Sequence, residues 1–410
     1  MLALVNGSVV TPFATVPHAT VLVDGDTIKE VGAGVELPPG TERHDVRGAT
    51  IAPGFIDTHL HGAGGFDVMD GADAVRGMAR FLATRGVTSF LPTTLPMAWE
   101  RIESALLAID QVAEERTNGA RVLGAHMEGP FVSREQLGAM DPKYILNPEP
   151  ERYRPLFDKL KHLRRVSAAP ELPGGLELGR ELRRRGILAS IAHTNASYQQ
   201  VAAAVEAGYS HATHIFTCMS TTRRDSAYRV AGVLESVLLL DEIRTEVIAD
   251  GHHLPPSLLR LVLKTKGVDG VAAITDSMRA AGLGPGHYML GELRVLVESA
   301  VSETFEVAEH PNNLVAKLPD RSCFAGSVAT MDQAVQNMIR LAGLPPTDAI
   351  RTATATPARI HGIADRGALE PGRKADIVVL DESIRPLLTM VEGKIVYRDS
   401  NLTHANANIR

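Results

Sequence analysis

The chain has 410 residues, 44% of them hydrophobic, with a formal net charge of -6 and two cysteines. An acidic balance excludes an electrostatic grip on nucleic acid or on an anionic membrane, both of which need a basic surface. Two cysteines build no disulfide framework, the N-terminus lacks a signal-peptide pattern, and no apolar run nears the roughly 20 residues that cross a bilayer. The expectation is a cytoplasmic globular protein whose partner is a small molecule.

Short β-branched runs at 2–10, 20–24 and 28–31, punctuated by Asn6-Gly7, Asp24-Gly25 and Pro38-Pro39-Gly40, predict hairpin strands of a small sheet. From residue 50 strand-like and helical runs alternate, which predicts βα units around a parallel sheet. Eight strands are expected, at 50–58, 87–92, 121–127, 165–169, 187–192, 210–215, 245–249 and 271–275, and eight suggests a closed barrel. Between them, Trp99, Ile102, Leu106, Ile109 and Ala113 recur at helical steps, and Ser197 and Gly208 bracket a second helix as N-cap and C′ glycine. The triplet Arg183-Arg184-Arg185 closes a predicted helix and reads as a solvated face favoured by the helix dipole. Residues 290–297 and 305–318 read as an insertion, followed by helices at 331–341 and 347–355. Strands return at 377–380, 390–391 and 395–397, and they are expected to join the N-terminal sheet, since either piece alone is too small to bury a core. The division is 1–50 and 366–410 for a β-sandwich made from both chain ends, and 51–365 for an α/β barrel.

In such a barrel the active site lies at the C-terminal strand ends. The first strand end offers His59 and His61, whose i, i+2 spacing puts both on one face. The third offers His126 and Glu128, sharing a face by parity. The fifth ends in His193, the sixth in His211 and His214, the seventh in Asp250-Gly251-His252-His253 and the eighth in Asp276. His211 and His214 differ in parity, so at most one is expected inside the barrel. A mixed histidine and carboxylate set suits Zn²⁺ or Fe²⁺, and an open coordination position lowers the pKa of bound water from about 15.7 toward about 7. An aspartate beside it can shuttle the proton. His18, His44, His162, His287, His310, His361 and His404 are scattered and read as ordinary surface or loop residues.

Several runs carry a resemblance. Pro53-Gly54-Phe55-Ile56-Asp57-Thr58-His59-Leu60-His61-Gly62 and Gly367-Ala368-Leu369-Glu370-Pro371-Gly372-Arg373-Lys374-Ala375-Asp376 resemble signatures of the amidohydrolase superfamily. His126-Met127-Glu128-Gly129-Pro130-Phe131, Ala212-Thr213-His214-Ile215-Phe216, Asp250-Gly251-His252-His253, Thr275-Asp276-Ser277-Met278 and Ala325-Gly326-Ser327 are similar to the narrower N-acetylglucosamine-6-phosphate deacetylase family. The resemblance spans nearly the whole chain. It implies a (β/α)8 barrel with a small β-sandwich, and hydrolytic removal of an acetyl group from an amino sugar phosphate. By motif it implies that Glu128, His193 and His214 hold the principal metal, that His59 and His61 hold a second with Glu128 able to bridge, and that Asp276 is the general base. One or two ions per subunit, a homodimer, and His252 as a substrate-binding histidine also follow from it.

The sequence departs from the family around the substrate. Leu137-Gly138-Ala139-Met140-Asp141-Pro142 stands where the deacetylases read Lys-Gly-Ala-His followed by Asn-Pro, so Met140 replaces a substrate-contacting histidine. Phe216-Thr217-Cys218-Met219 replaces Phe-Asn-Ala-Met, which gives Thr217 and Cys218 the substrate-facing positions. The phosphate-holding Arg-Glu-Pro-Gly is not found; Arg223, Arg224 and Arg229 are the arginines on offer for the phosphate, with Arg229 taken as substrate-binding. The alternative within enzymes is a metal-dependent amidohydrolase acting on another N-acyl or cyclic amide. The alternative of a different class is a catalytically silent binding module of the same fold.

Overall fold

The apolar strand runs form one parallel barrel. The computed structural model describes residues 1–11, 14–300 and 313–403. Among the described residues, the barrel strands run in the order Phe55–Leu60, Val87–Thr94, Ala125–Glu128, Leu163–Ala168, Leu188–Ile191, Tyr209–Ala212, Arg244–Ile248 and Val271–Ile274, each parallel to the next. The last returns to the first through a parallel bridge between Leu60 and Ser277, and the Asp276 N–H donates to the His59 carbonyl at 2.9 Å. A helix follows each strand, from Ala72–Ala83 and Trp99–Ala113 round to Pro256–Lys266 and Met331–Arg340. Their apolar faces cover the outside of the sheet, which explains why the strands read as nearly continuous hydrophobic runs.

Two expected strands are broken. The run 50–58 is two strands: Thr50–Pro53 belongs to the terminal sheet, Phe55–Leu60 to the barrel, and Gly54 between them packs so closely on the Thr88 side chain that a Cβ would collide with it. The run 121–127 divides into Arg121–Val122 and Ala125–Glu128 around Gly124, whose φ of 139° disfavours any residue with a Cβ. Local signals elsewhere hold. Ser197 and Gln200 form a capping box on Tyr198–Ala207, and Gly208 ends that helix in the left-handed region. Arg184 and Arg185 pair with Glu181 and Asp158 at the helix surface.

The chain ends build a mixed sheet in the order Lys394–Arg398, Pro386–Val391, Ile377–Leu380, Thr50–Pro53, Leu2–Val10, Thr15–Asp24 and Thr27–Gly32, with Glu42–Asp45 also on Leu2–Val10. Leu4, Val21, Ile51, Ile377 and Leu388 lie in its own apolar core. After the eighth barrel strand, Gly286–Leu290, Leu293–Ser299 and Leu314–Lys317 form an antiparallel meander, while the rest of the insertion with His310, and also His404, lie outside the described residues. No described helix is long and apolar enough to cross a membrane.

Candidate functional site

The strand ends deliver two ligand groups that share one carboxylate. Glu128 Oε2 lies 3.4 Å from His59 Nε2 and 3.3 Å from His61 Nε2. Its other oxygen lies 3.1 Å from His214 Nε2 and 3.5 Å from His193 Nε2. All five side chains are buried, and within each group the ligand atoms fall inside 4.8 Å of one another. Asp276 Oδ1 stands beside the first group, 3.2 Å from His61 Nε2 and 3.5 Å from His59 Nε2.

The backbone explains this convergence. His193, His214 and Asp276 follow the last residues of their strands with φ of 43°, 28° and 46°. Such values cost on the order of 1–3 kcal/mol per residue, and they turn each side chain across the barrel mouth. They also overturn the expectation that at most one of His211 and His214 faces inward. Alternation holds only inside a strand, and Tyr209–Ala212 ends before His214. His211 is buried in the barrel against Ser190 Oγ at 2.9 Å, and His214 reaches Glu128 above it. His126 occupies the same deeper layer, bonded to Thr93 Oγ1 at 3.1 Å and Ser167 Oγ at 2.7 Å, and belongs to neither ligand group.

The donor set fits a divalent cation. Burial works against charge on every member, yet the carboxylates of Glu128 and Asp276 lift His59 to about 10 and His61 to about 9. Burial would likewise raise Glu128, but the imidazoles around it hold it well below the usual carboxylate range. His59 Nε2 and Asp276 Oδ1, both facing the first group, are buried without a hydrogen-bond partner, an expense that native interiors rarely bear unless an ion satisfies the atoms. The outer ring nitrogens are pinned. His61 Nδ1 is 3.1 Å from the Thr93 carbonyl and His193 Nδ1 is 2.8 Å from the Gln136 carbonyl, acceptors that require the proton on Nδ1 and leave Nε2 as the ligand.

A cleft opens above the groups, walled by Leu95, Met140, Thr217, Cys218, His253, Leu290 and Phe324. Met140, Thr217 and Cys218 thus all face this cleft. His252 does not line the cleft, whereas its neighbour His253 does. Asp250 Oδ1 accepts from the N–H groups of both histidines and its Oδ2 lies 2.7 Å from His253 Nδ1, a turn that aims the second imidazole inward. An aspartate three residues before a histidine was the available signal. Arg229 does not reach the cleft of its own chain. It lies exposed on the hairpin Arg223–Asp225 and Tyr228–Val230, opposite Arg224. Leu290 and Phe324 were missed because they arrive from the insertion and the segment after it.

A family model described as "Amidohydrolase family" matches residues 50–396. The chain belongs to the amidohydrolase family. Among its relatives in the family, an N-acetylglucosamine-6-phosphate deacetylase of Lysinibacillus sphaericus is 32% identical over 88% of this chain and 89% of its own length. An N-acetylgalactosamine-6-phosphate deacetylase of Escherichia coli O157:H7 is 33% identical over 84% and 87%. In three dimensions, the N-acetylglucosamine-6-phosphate deacetylase of Pasteurella multocida superposes with a TM-score of 0.86 at 28% identity, covering 96% of this chain and 99% of that one. A variant of the Mycobacterium smegmatis enzyme, solved in complex with N-acetyl-D-glucosamine-6-phosphate, gives the same score, identity and coverage.

Proposed function

We propose that this amidohydrolase removes the acetyl group from N-acetylglucosamine 6-phosphate or a close N-acetyl amino sugar phosphate. The observation that carries the reading is the sharing of Glu128 between two histidine pairs, with Asp276 alongside at the floor of a cleft. Glu128, His193 and His214 would hold one divalent ion, Zn²⁺ or Fe²⁺, and His59, His61 and Glu128 a second. The bound cation supplies polarisation of the amide carbonyl and a water acidic enough to ionise near neutral pH. Asp276 accepts the proton of the attacking water and returns it to the sugar nitrogen as the C–N bond breaks. His253 and the Thr217 to Cys218 segment contact the sugar phosphate from the cleft wall.

The barrel, 51–365, is the catalytic unit in this reading, and the enzyme acts in the cytoplasm as a homodimer. The exposed hairpin supports the dimer: Tyr228 is 78% exposed between Arg224 and Arg229, an aromatic and two cations suited to a partner's cleft and its phosphate. Met140, Leu95 and Leu290 make one cleft wall apolar, which favours as a second reading another N-acyl substrate for the same centre.

Acetate release should be measured with Zn²⁺ or Fe²⁺ added, on N-acetylglucosamine 6-phosphate, its galactosamine epimer and the unphosphorylated sugars. The leading reading expects a phosphorylated sugar to be the best substrate. Equal rates with and without phosphate would favour the second reading, and no hydrolysis of any N-acyl compound by metal-loaded protein would overturn both.

A further inference from the structure

Beneath the ligand groups, the barrel interior holds an ion pair closed off from water on every side. Arg165, on Leu163–Ala168, and Glu246, on Arg244–Ile248, are both fully buried. The guanidinium donates from Nη1 to Glu246 Oε2 at 2.6 Å and from Nη2 to Oε1 at 2.7 Å. Nη2 also donates to Thr213 Oγ1 at 2.7 Å. Removing two full charges from water is expensive, and an apolar pair of similar volume would fill a barrel at least as well. The pair is therefore poor as a packing device, and what it touches matters.

Glu246 Oε1 lies 2.8 Å from His59 Nδ1. The same oxygen accepts from the main-chain N–H of His214 at 3.4 Å. One carboxylate thus reaches a histidine of each ligand group from below. His61 and His193 are pinned by main-chain carbonyls, which no side-chain substitution removes, whereas His59 depends on a side chain. The bidentate Arg165 clamp stops the carboxylate from rotating and keeps it ionised, so its oxygens only accept. His59 must then carry its proton on Nδ1, with Nε2 turned toward Glu128 and Asp276.

We propose that Glu246, clamped by Arg165, is a positioning residue that sets the tautomer and orientation of His59 and thereby the affinity of the ion held by His59, His61 and Glu128. This inference rests on the metal reading given above. Glu246→Gln tests it. An amide in that place opposes Arg165 donor to donor in either orientation, at Nη1 if its oxygen keeps the Oε1 position and at Nη2 if it is reversed, and when reversed it also opposes the His59 Nδ1 proton; the bidentate clamp that holds the acceptor under His59 is lost in both.

Zn²⁺ binding to the full chain should be followed by competition with a chromophoric chelator. The parent is expected to take two ions. In E246Q the ion of the His59 group should weaken by about 10–100-fold, the usual effect of losing a partner of a ligating histidine. The ion of the Glu128, His193 and His214 group should stay within a few-fold. Unchanged binding of both ions, or equal weakening of both, would overturn the proposal, because a purely structural role spreads over both sites. Adding E246Q to His59→Asn should leave the remaining ion's affinity where His59→Asn alone puts it; a further drop would also count against action through His59. If the parent takes a single ion at every Zn²⁺ level, the two-ion reading fails by itself, and ¹⁵N NMR of the His59 ring in the metal-stripped chain decides instead. A proton on Nδ1 in the parent, with or without a second on Nε2, whose signal changes in E246Q supports the proposal. A ring protonated on Nε2 alone in the parent, or the same ring signals in both proteins, overturns it, and the parent spectrum suffices should E246Q not fold.

Discussion

Asp276 Oδ1 lies 3.2 Å from His61 Nε2, at the end of the eighth barrel strand and facing the end of the first. Across the closing seam of the barrel, the Asp276 N–H also donates to the His59 carbonyl, so the carboxylate is anchored by backbone to the element carrying the histidine pair. Burial would raise its pKa, but His59 and His61 outweigh burial and hold Asp276 below the ordinary carboxylate value, the ionised form a general base needs. Asp276→Asn keeps the size and the backbone anchor and removes only the basicity. Turnover should fall by about 10²–10⁴-fold with metal content unchanged. Acetate-release kinetics paired with elemental analysis checks it, and a metal-loaded, fully active variant would remove Asp276 from the mechanism.

Glu128 serves one ligand group with each oxygen, so the two groups should respond differently to two substitutions. Glu128→Gln should weaken binding of every ion, beyond the 10–100-fold typical of an outer partner (about two decades). His193→Asn should strip the group containing His193 and His214 while the His59 and His61 group keeps measurable affinity. Zn²⁺ stoichiometry after gel filtration separates the outcomes; full occupancy in Glu128→Gln would contradict a shared carboxylate.

Reading strand ends from the sequence brought His59, His61, Glu128, His193, His214 and Asp276 into one layer, and the structure places all six together. What made them legible was local: an apolar run stopping at a polar ligand residue. Parity failed for His211 and His214, because three of the six residues adopt left-handed backbone after their strands end, and no pattern of side chains reports φ. Arg165 and Glu246 were invisible for a related reason. Each sits inside a short barrel strand, and nothing local announces that two charges from strands 81 residues apart meet in the interior. Which of His252 and His253 faces the cleft was also illegible, because it depends on a turn that Asp250 dictates through its side chain.

That turn gives the third prediction. His253 lines the cleft, whereas His252 does not. His253→Ala should lower kcat/KM by about 10-fold or more, the effect of losing a hydrogen bond to a charged group, with metal content intact. His252→Ala should stay within a few-fold of the parent. Steady-state kinetics on the phosphorylated sugar checks both, and the reverse ranking would return the role to His252.

His361, whose ring centre lies 6.2 Å from that of His211, gives a pH prediction at a residue outside both ligand groups. Its Nδ1 is 2.9 Å from the Pro357 carbonyl, and its Nε2 is buried without a partner. Burial first, then the Arg165 charge, depresses its pKa from 6.5 to about 4. The folded state therefore favours neutral His361, while the unfolded chain takes up a proton as soon as pH drops below about 6.5. The contribution is fully present above the unfolded value and is lost as pH falls from 6.5 through about 4. Allowing for partial exposure, it amounts to about 1–3 kcal/mol. His361→Gln keeps an N–H for Pro357 and cannot titrate. Urea unfolding of metal-saturated parent and variant across pH 4–8 should show the parent losing more stability toward acid, with the difference confined to that window. Parallel curves would mean that His361 stays protonated, or equally hydrated, in both states.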